Sequence, residues 1–274
     1  MLERRYKNMK NYTHFILDLD GVIYRGEDVL PGARDFVEWA DATGRGLVFL
    51  SNNSFATPEE VAAKLARLGI PDPERRTLTA GEAAVRVVAE RFPGGSVYVL
   101  AVPSIVTLAE RHGLRSIWQD AMTGSAPQAL LVGLDKTLTY DRLTRGLRAI
   151  LAGAAFVAVN RDPTLPVEDG LNPGTGSLVA ALEYASGKRA EIVGKPEPGI
   201  VLEALRFLHA SKDDTLLVGD SIVLDIAAGH AAGVDSALVL SGVATAQEAE
   251  AASDALKPNY VYANLAALLA AFQA

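Results

Sequence analysis

Cysteine is absent from the 274 residues. That excludes disulfides, thiolate nucleophiles and cysteine-ligated zinc or iron–sulfur centres, and it fits a reducing compartment such as the cytoplasm. Histidine is scarce as well: His14, His112, His209 and His230 lie scattered, without the H-E-x-x-H or H-x-x-E-H spacing of zinc hydrolases. No apolar run reaches the roughly 18 residues of a membrane span; the longest nearly uncharged stretch is "AILAGAAFVAV". The apolar segment behind the basic "MLERRYKNMK" stops at Asp18, too soon for a signal peptide. With a net charge of −7 the chain has no electrostatic footprint for nucleic acid. The sequence also lacks a P-loop, a complete G-x-G-x-x-G and a G-x-S-x-G elbow, which removes the commonest nucleotide and esterase motifs.

What is present alternates. Short runs rich in β-branched and aliphatic residues, "HFIL", "LVFL" (47–50), "SVYVL" (96–100), "ALLV" (129–132), "AFVAV" (155–159), "AEIV" (190–193), "TLLV" (215–218) and "SALVL" (236–240), are separated by helical patterns. Continuous apolar strands joined through helices predict an α/β protein with parallel sheet and helices on both faces. The number of strands leaves room for two small sheets as well as one large one.

In open parallel sheets, ligands bind beyond the carboxyl ends of the strands. Asp18 and Asp20 follow the first strand, Ser51, Asn52 and Asn53 the second, and Lys195 follows "AEIV". Asp220 and Ser221 follow "TLLV", with Asp225 five residues past Asp220. Each alone reads as a turn, a cap or a solvated charge. In this order, each at a strand end, they describe one edge carrying carboxylates, a hydroxyl–amide group and a lysine. Such a set suits a phosphoryl group together with a hard divalent cation, which takes oxygen ligands.

At these residues the chain resembles the haloacid dehalogenase superfamily of phosphatases. "DLDGV", "LSNNS", "VGKPEP" and "VGDSIVLDI" are similar to its four motifs in order. The stretches "LLVGLDKTLTY", "AVNRDPTLP" and "NPGTGSLVAALEYASGK" resemble the cap of the NagD-like, p-nitrophenylphosphatase branch, which includes phosphoglycolate and pyridoxal-phosphate phosphatases. One departure is visible: Val223 and Leu224 stand where the fourth motif often carries a polar residue and a threonine.

The resemblance implies a Rossmann-like core, residues 1–80 and 188–274, with an inserted smaller α/β cap of the C2 type at 81–187. It implies that Asp18 attacks phosphorus to form an aspartyl phosphate and that Asp20 is the general acid–base. Mg²⁺ would be bound by Asp18, Asp220 and the backbone carbonyl of Asp20. Ser51, Asn52 and Asn53 would bind phosphoryl oxygens, Gly21 would permit close backbone approach, and Lys195 would neutralise charge. Asp225 and Ser221 would support the metal shell or the lysine. The expected activity is hydrolysis of small phosphomonoesters (p-nitrophenyl phosphate in vitro; phosphoglycolate, a sugar phosphate or pyridoxal phosphate in the cell). A phosphomutase or a receiver-like module without turnover are the alternatives, and a homodimer is a further expectation. Residues 81–187 hold nine Lys/Arg and ten Asp/Glu, so the cap is no anion funnel and a small monoester is favoured. Arg161, the cation of the loop "NRDPTLP", is the candidate reader of an anionic leaving group.

Overall fold

The computed structural model describes residues 9–118, 126–167 and 169–274. The basic run 1–8 and two of the counted cap charges, Asp120 and Glu168, fall outside them. The chain forms two compact units. One comprises the residues up to Ser51, Pro58–Leu78 and Lys195–Ala274; the other comprises Asn52–Thr57 and Thr79–Gly194.

The first unit starts with β1 (His14–Asp18), in which Phe15, Ile16 and Leu17 are fully buried. Burial on both faces is what a central parallel strand requires, and each such side chain contributes roughly 1.5–3 kcal/mol. A two-residue hairpin follows, β2 (Tyr24–Arg25) against β3 (Asp28–Val29), and then α1 (Ala33–Ala42), which buries Ala33, Phe36, Val37 and Ala40 along one stripe. Next come β4 (Gly46–Ser51), α2 (Pro58–Arg67), with proline at its first position, and β5 (Thr77–Thr79).

The second unit opens on α3 (Ala80–Arg91), capped by Thr79 Oγ1, which accepts from Glu82 N at 3.2 Å. It continues with β6 (Ser96–Leu100), α4 (Pro103–Arg111), β7 (Arg115–Ile117), β8 (Ala129–Val132), α5 (Tyr140–Leu151) and β9 (Ala155–Ala158). A hairpin of β10 (Thr164–Val167) and β11 (Gly170–Pro173) leads to α6 (Thr175–Ser186) and β12 (Glu191–Ile192). The sheet order is β12-β9-β8-β6-β7, all parallel. Tyr98, Leu130, Val132 and Phe156 from the sheet meet Ile150, Leu178 and Leu182 from α5 and α6 in its core.

The chain then returns to the first unit with α7 (Gly199–Leu208), β13 (Thr215–Gly219), α8 (Ala227–Ala232), β14 (Asp235–Val239), α9 (Ala246–Ala251), β15 (Tyr260–Tyr262) and α10 (Leu265–Gln273). Six strands line up as β15-β14-β13-β1-β4-β5. Phe272 of α10 closes an aromatic cluster with Phe15, Phe36 and Trp39.

The architecture is therefore α/β with a Rossmann-like core sheet and an inserted, smaller α/β unit built on its own parallel sheet. The insertion differs from its expected limits on both sides: Asn52–Thr57 and residues 79–80 already belong to it. Glu191–Ile192 pairs with β9, so residues 188–194 go with the inserted unit, not with the core. Among the described residues no helix is long and apolar enough to cross a membrane.

Candidate active site

β1 lies at the centre of the core sheet, with β13 on one side and β4 on the other, all three parallel. The chain leaves β1 toward one neighbour and comes back on the opposite one, so this is the position where the strand order reverses. Register then decides what meets there. Asp18 pairs with Leu50, one residue before Ser51, and Leu17 pairs with Val218, two residues before Asp220.

Lys195, only 3% exposed at its side chain, bridges two buried carboxylates: its Nζ donates to Asp18 Oδ1 at 2.5 Å and to Asp225 Oδ1 at 2.6 Å. Asp225 reaches the ammonium because residues 222–226 form a π-helical turn, with Ile226 N bonded to Ser221 O at 3.1 Å. Its second oxygen, Oδ2, accepts from the backbone N–H of Asp220 (3.2 Å) and of Ser221 (3.0 Å). Ser221 Oγ accepts from Leu224 N at 3.3 Å and caps that turn. Asp220 is buried, and its Oδ2 accepts from Val243 N at 2.8 Å. Asp20, two residues beyond Asp18, is exposed and forms an isolated bridge with Tyr24.

Carboxylate oxygens of Asp18, Asp220 and Asp225 lie within 4.8 Å of one another. Burial pushes the Asp18 carboxyl up to about 7; Asp225 and Asp220 act in the same direction, while Lys195 opposes them. Burial, followed by the charge of Asp225, also raises Asp220. For Lys195 burial works against the charge, yet Asp18 and Asp225 together hold its pKa above the ordinary value. Three close carboxylates, buried beside the Lys195 ammonium, form an oxygen-only donor set with excess negative charge. That is the chemistry of a hard divalent-cation site. Asp225 differs from the other two in having both oxygens occupied by protein donors, which makes Asp18 and Asp220 the carboxylates fit to hold a cation.

Gly21 has φ +79°, and a Cβ there would lie 2.2 Å from Asp220 Oδ2, so both backbone conformation and space demand glycine. Thus Asp18, Lys195, Asp220, Ser221, Asp225, Gly21 and Ser51 share the core sheet's edge. Asn52 and Asn53 belong to the inserted unit. Asn53 Oδ1 accepts from Phe55 N (2.9 Å) and Ala56 N (2.8 Å), an Asx turn that fixes the loop. The carbonyl of Asn52 accepts from Asn160 Nδ2 at 2.9 Å.

Arg161 pairs with Glu183 inside the inserted unit: Nη1 to Oε2 at 2.9 Å and Nη2 to Oε1 at 2.7 Å. Glu183 is buried and also meets Arg189 and Ala190 N, which explains why the guanidinium is drawn to it. Arg161 Nη1 and Nη2 thus hold an internal carboxylate, where the sequence suggested a cation turned toward substrate. Arg25 and the loop 241–244 went unmarked in the sequence, because each of their contacts at this edge has a backbone carbonyl or N–H on one side and carries no motif.

Residues 15–115 match the haloacid dehalogenase-like hydrolase family, and residues 192–268 match the HAD-hydrolase-like family. The chain is 37% identical to the 5′-nucleotidase YutF of Bacillus subtilis over 86% of its length and 90% of the relative's. It superimposes on a p-nitrophenyl phosphatase from Archaeoglobus fulgidus with TM-score 0.85 and 31% identity, covering 96% of this chain and all of that one. A glycerol phosphate phosphatase from Mycobacterium tuberculosis, solved in complex with magnesium, gives TM-score 0.81 at 33% identity, covering 94% of this chain and 77% of that one.

Proposed function

The chain belongs to the haloacid dehalogenase-like hydrolases and is a phosphoric monoester hydrolase, and on that premise we propose that it hydrolyses small phosphomonoesters with Mg²⁺ through an aspartyl phosphate. The observation that carries this reading is Lys195 held between Asp18 and Asp225 beside Asp220.

In the first step a carboxylate oxygen of Asp18 forms a bond to phosphorus as the ester oxygen–phosphorus bond breaks, and Asp20 gives its proton to the departing alkoxide. In the second, Asp20 takes a proton from water, the water oxygen bonds to phosphorus, and the acyl phosphate bond breaks to return Asp18 and inorganic phosphate. Lys195 offsets charge on Asp18 and on the phosphoryl oxygens, while Ser51, Asn52 and Asn53 donate to those oxygens. Asp225 holds Lys195, and Gly21 lets the backbone approach. Mg²⁺, held by Asp18, Asp220 and the carbonyl of Asp20, would supply charge stabilisation to the phosphoryl group as negative charge builds up on it.

The inserted unit serves in this reading as a cap that selects the leaving group. Arg161 enters as the residue that would meet a carboxylate there, in competition with Glu183. The activities in the relatives' names suggest nucleoside monophosphates, glycerol phosphate and p-nitrophenyl phosphate as first substrates. A cytoplasmic location and a homodimer complete the proposal.

The test is release of inorganic phosphate from a panel of these monoesters and of phosphoglycolate and sugar phosphates, with and without EDTA. Turnover that EDTA removes and added Mg²⁺ restores is expected. Full turnover in chelator, or isomerised phosphate ester without free phosphate, would overturn the reading.

A further inference from the structure

The hairpin that follows Asp20 is tied to the loop after β14 at two points. Arg25 Nη2 donates to Ser241 O at 2.6 Å and to Gly242 O at 3.1 Å. Ser241 Oγ donates to Gly21 O at 2.7 Å. The same loop then wraps Asp220: Val243 N donates to its Oδ2 at 2.8 Å, and Ala244 N donates to its backbone carbonyl at 3.1 Å. The fit is tight enough that a Cβ on Gly242 would lie 1.8 Å from Asp220 Oδ2.

We propose that Arg25 is a positioning residue for Asp220, fixing the 241–243 backbone so that the Val243 N–H sets the plane of the Asp220 carboxylate. The reason is geometric. A peptide N–H can hold a carboxylate only if its own plane is held, and a loop of Ser-Gly-Val has little side-chain packing to do so, since Val243 is exposed. A guanidinium across two successive carbonyls supplies that constraint from outside the sheet. Its effect reaches any cation bound at Asp220, because groups that orient a ligating carboxylate tune metal affinity. The inference rests on the metal role given to Asp220 above.

The experiment is calorimetric titration of Mg²⁺ onto the chelator-treated 274-residue protein, wild type against Arg25→Ala and Arg25→Lys. Wild type should bind one Mg²⁺. Arg25→Ala should bind it about tenfold more weakly, the low end for loss of an orienting partner. Its kcat at saturating Mg²⁺ should stay within about threefold, while the Mg²⁺ concentration for half-maximal rate rises in parallel. Arg25→Lys, whose ammonium can donate to both carbonyls, should restore most of the affinity. Unchanged Mg²⁺ affinity in Arg25→Ala, or a loss of kcat with affinity intact, overturns the proposal. If Arg25→Ala fails to fold, Arg25→Met keeps the side chain's length while removing both hydrogen bonds to the carbonyls, and unchanged affinity in that variant overturns the proposal equally. A wild-type protein that binds no Mg²⁺ would instead sink the metal reading itself.

Discussion

Replacing Lys195 by methionine keeps the side chain's reach and removes its charge, leaving Asp18 and Asp225 without the ammonium that lies 2.5 and 2.6 Å from them. Each charge-assisted bond is worth roughly 1.5–3 kcal/mol, and breaking a buried pair by removing one partner costs about 3–5 kcal/mol. Proton uptake limits the loss. Burial already holds Asp18 near 7, and without Lys195, which pulls that value down, the carboxyl would take a proton at neutral pH. The variant should therefore lose about 3 kcal/mol at pH 7, a shift of roughly 1.5 M in the urea midpoint of the metal-free protein.

The pH dependence is the sharper signature. A carboxyl whose folded pKa is raised above its unfolded value lends stability below the unfolded value, and that stability is lost as pH rises through the folded one. Wild type should give it up between about pH 4 and 7. In Lys195→Met the folded pKa is higher still, so its deficit should widen above pH 7 by up to about 1.4 kcal/mol per pH unit. Trp39 and Trp118 are the two tryptophans, one in each unit, so a Trp118→Phe background lets Trp39 fluorescence report the core unit alone. A deficit that is constant or shrinking from pH 6.5 to 8.5 would refute the argument.

Asp18→Asn should bring phosphate release to background, while Asp20→Asn should cost on the order of 10²–10⁴ in kcat with Asp18 intact; steady-state rates on p-nitrophenyl phosphate check both, and a harmless Asp20→Asn removes its acid–base role. In the inserted unit, the hydrogen bonds from Arg161 hold the Glu183 carboxyl down at about 2, so its stabilisation is present above about pH 4.5 and disappears as pH falls toward 2. Arg161 and Arg189 are 41% and 85% exposed at their side chains, so after solvent screening Glu183→Gln should remove only about 2 kcal/mol at pH 7 and flatten this acid limb. Trp118 fluorescence in a Trp39→Phe background measures it, and an unaltered limb refutes it.

Asp18, Ser51 and Asp220 were legible in the sequence because they stand at strand ends, and strand ends in a parallel sheet are brought together by topology; Lys195 follows a strand of the other sheet and reaches Asp18 where the chain returns to the core. Asp18 and Asp220 needed only the adjacency of β1 and β13. The five-residue offset from Asp220 to Asp225 carried information too, since the π-helical turn at 222–226 returns Asp225 to the sheet edge and to Lys195. Three-residue strands such as Thr77–Thr79, Arg115–Ile117 and Tyr260–Tyr262 are too short to show a period and stayed hidden. Pro166 and Pro173 concealed the β10–β11 hairpin, because proline argues against strand. "AEIV" read correctly as strand, but nothing in four residues says which of two sheets it joins. The partner of Arg161 stayed hidden for a related reason. A sequence shows a cation in a loop and does not show the buried Glu183, 22 residues on, that engages it.

The charge count at the core's edge explains why so many backbone donors are committed there. With Asp18, Asp220 and Asp225 ionised and Lys195 protonated, the buried cluster carries a net charge of −2. An anionic phosphoryl group approaching such an edge is repelled, and Lys195 alone cannot reverse the sign. The peptide N–H groups of Asp220, Ser221 and Val243 spread part of the charge, but dipoles soften the field without cancelling it. Protonation of Asp18 would relieve the repulsion and would also disable the nucleophile. A divalent cation brings the cluster to neutrality with every carboxylate still ionised. The arrangement that makes the isolated protein electrostatically uncomfortable is thus the one in which cation binding and an ionised Asp18 favour each other.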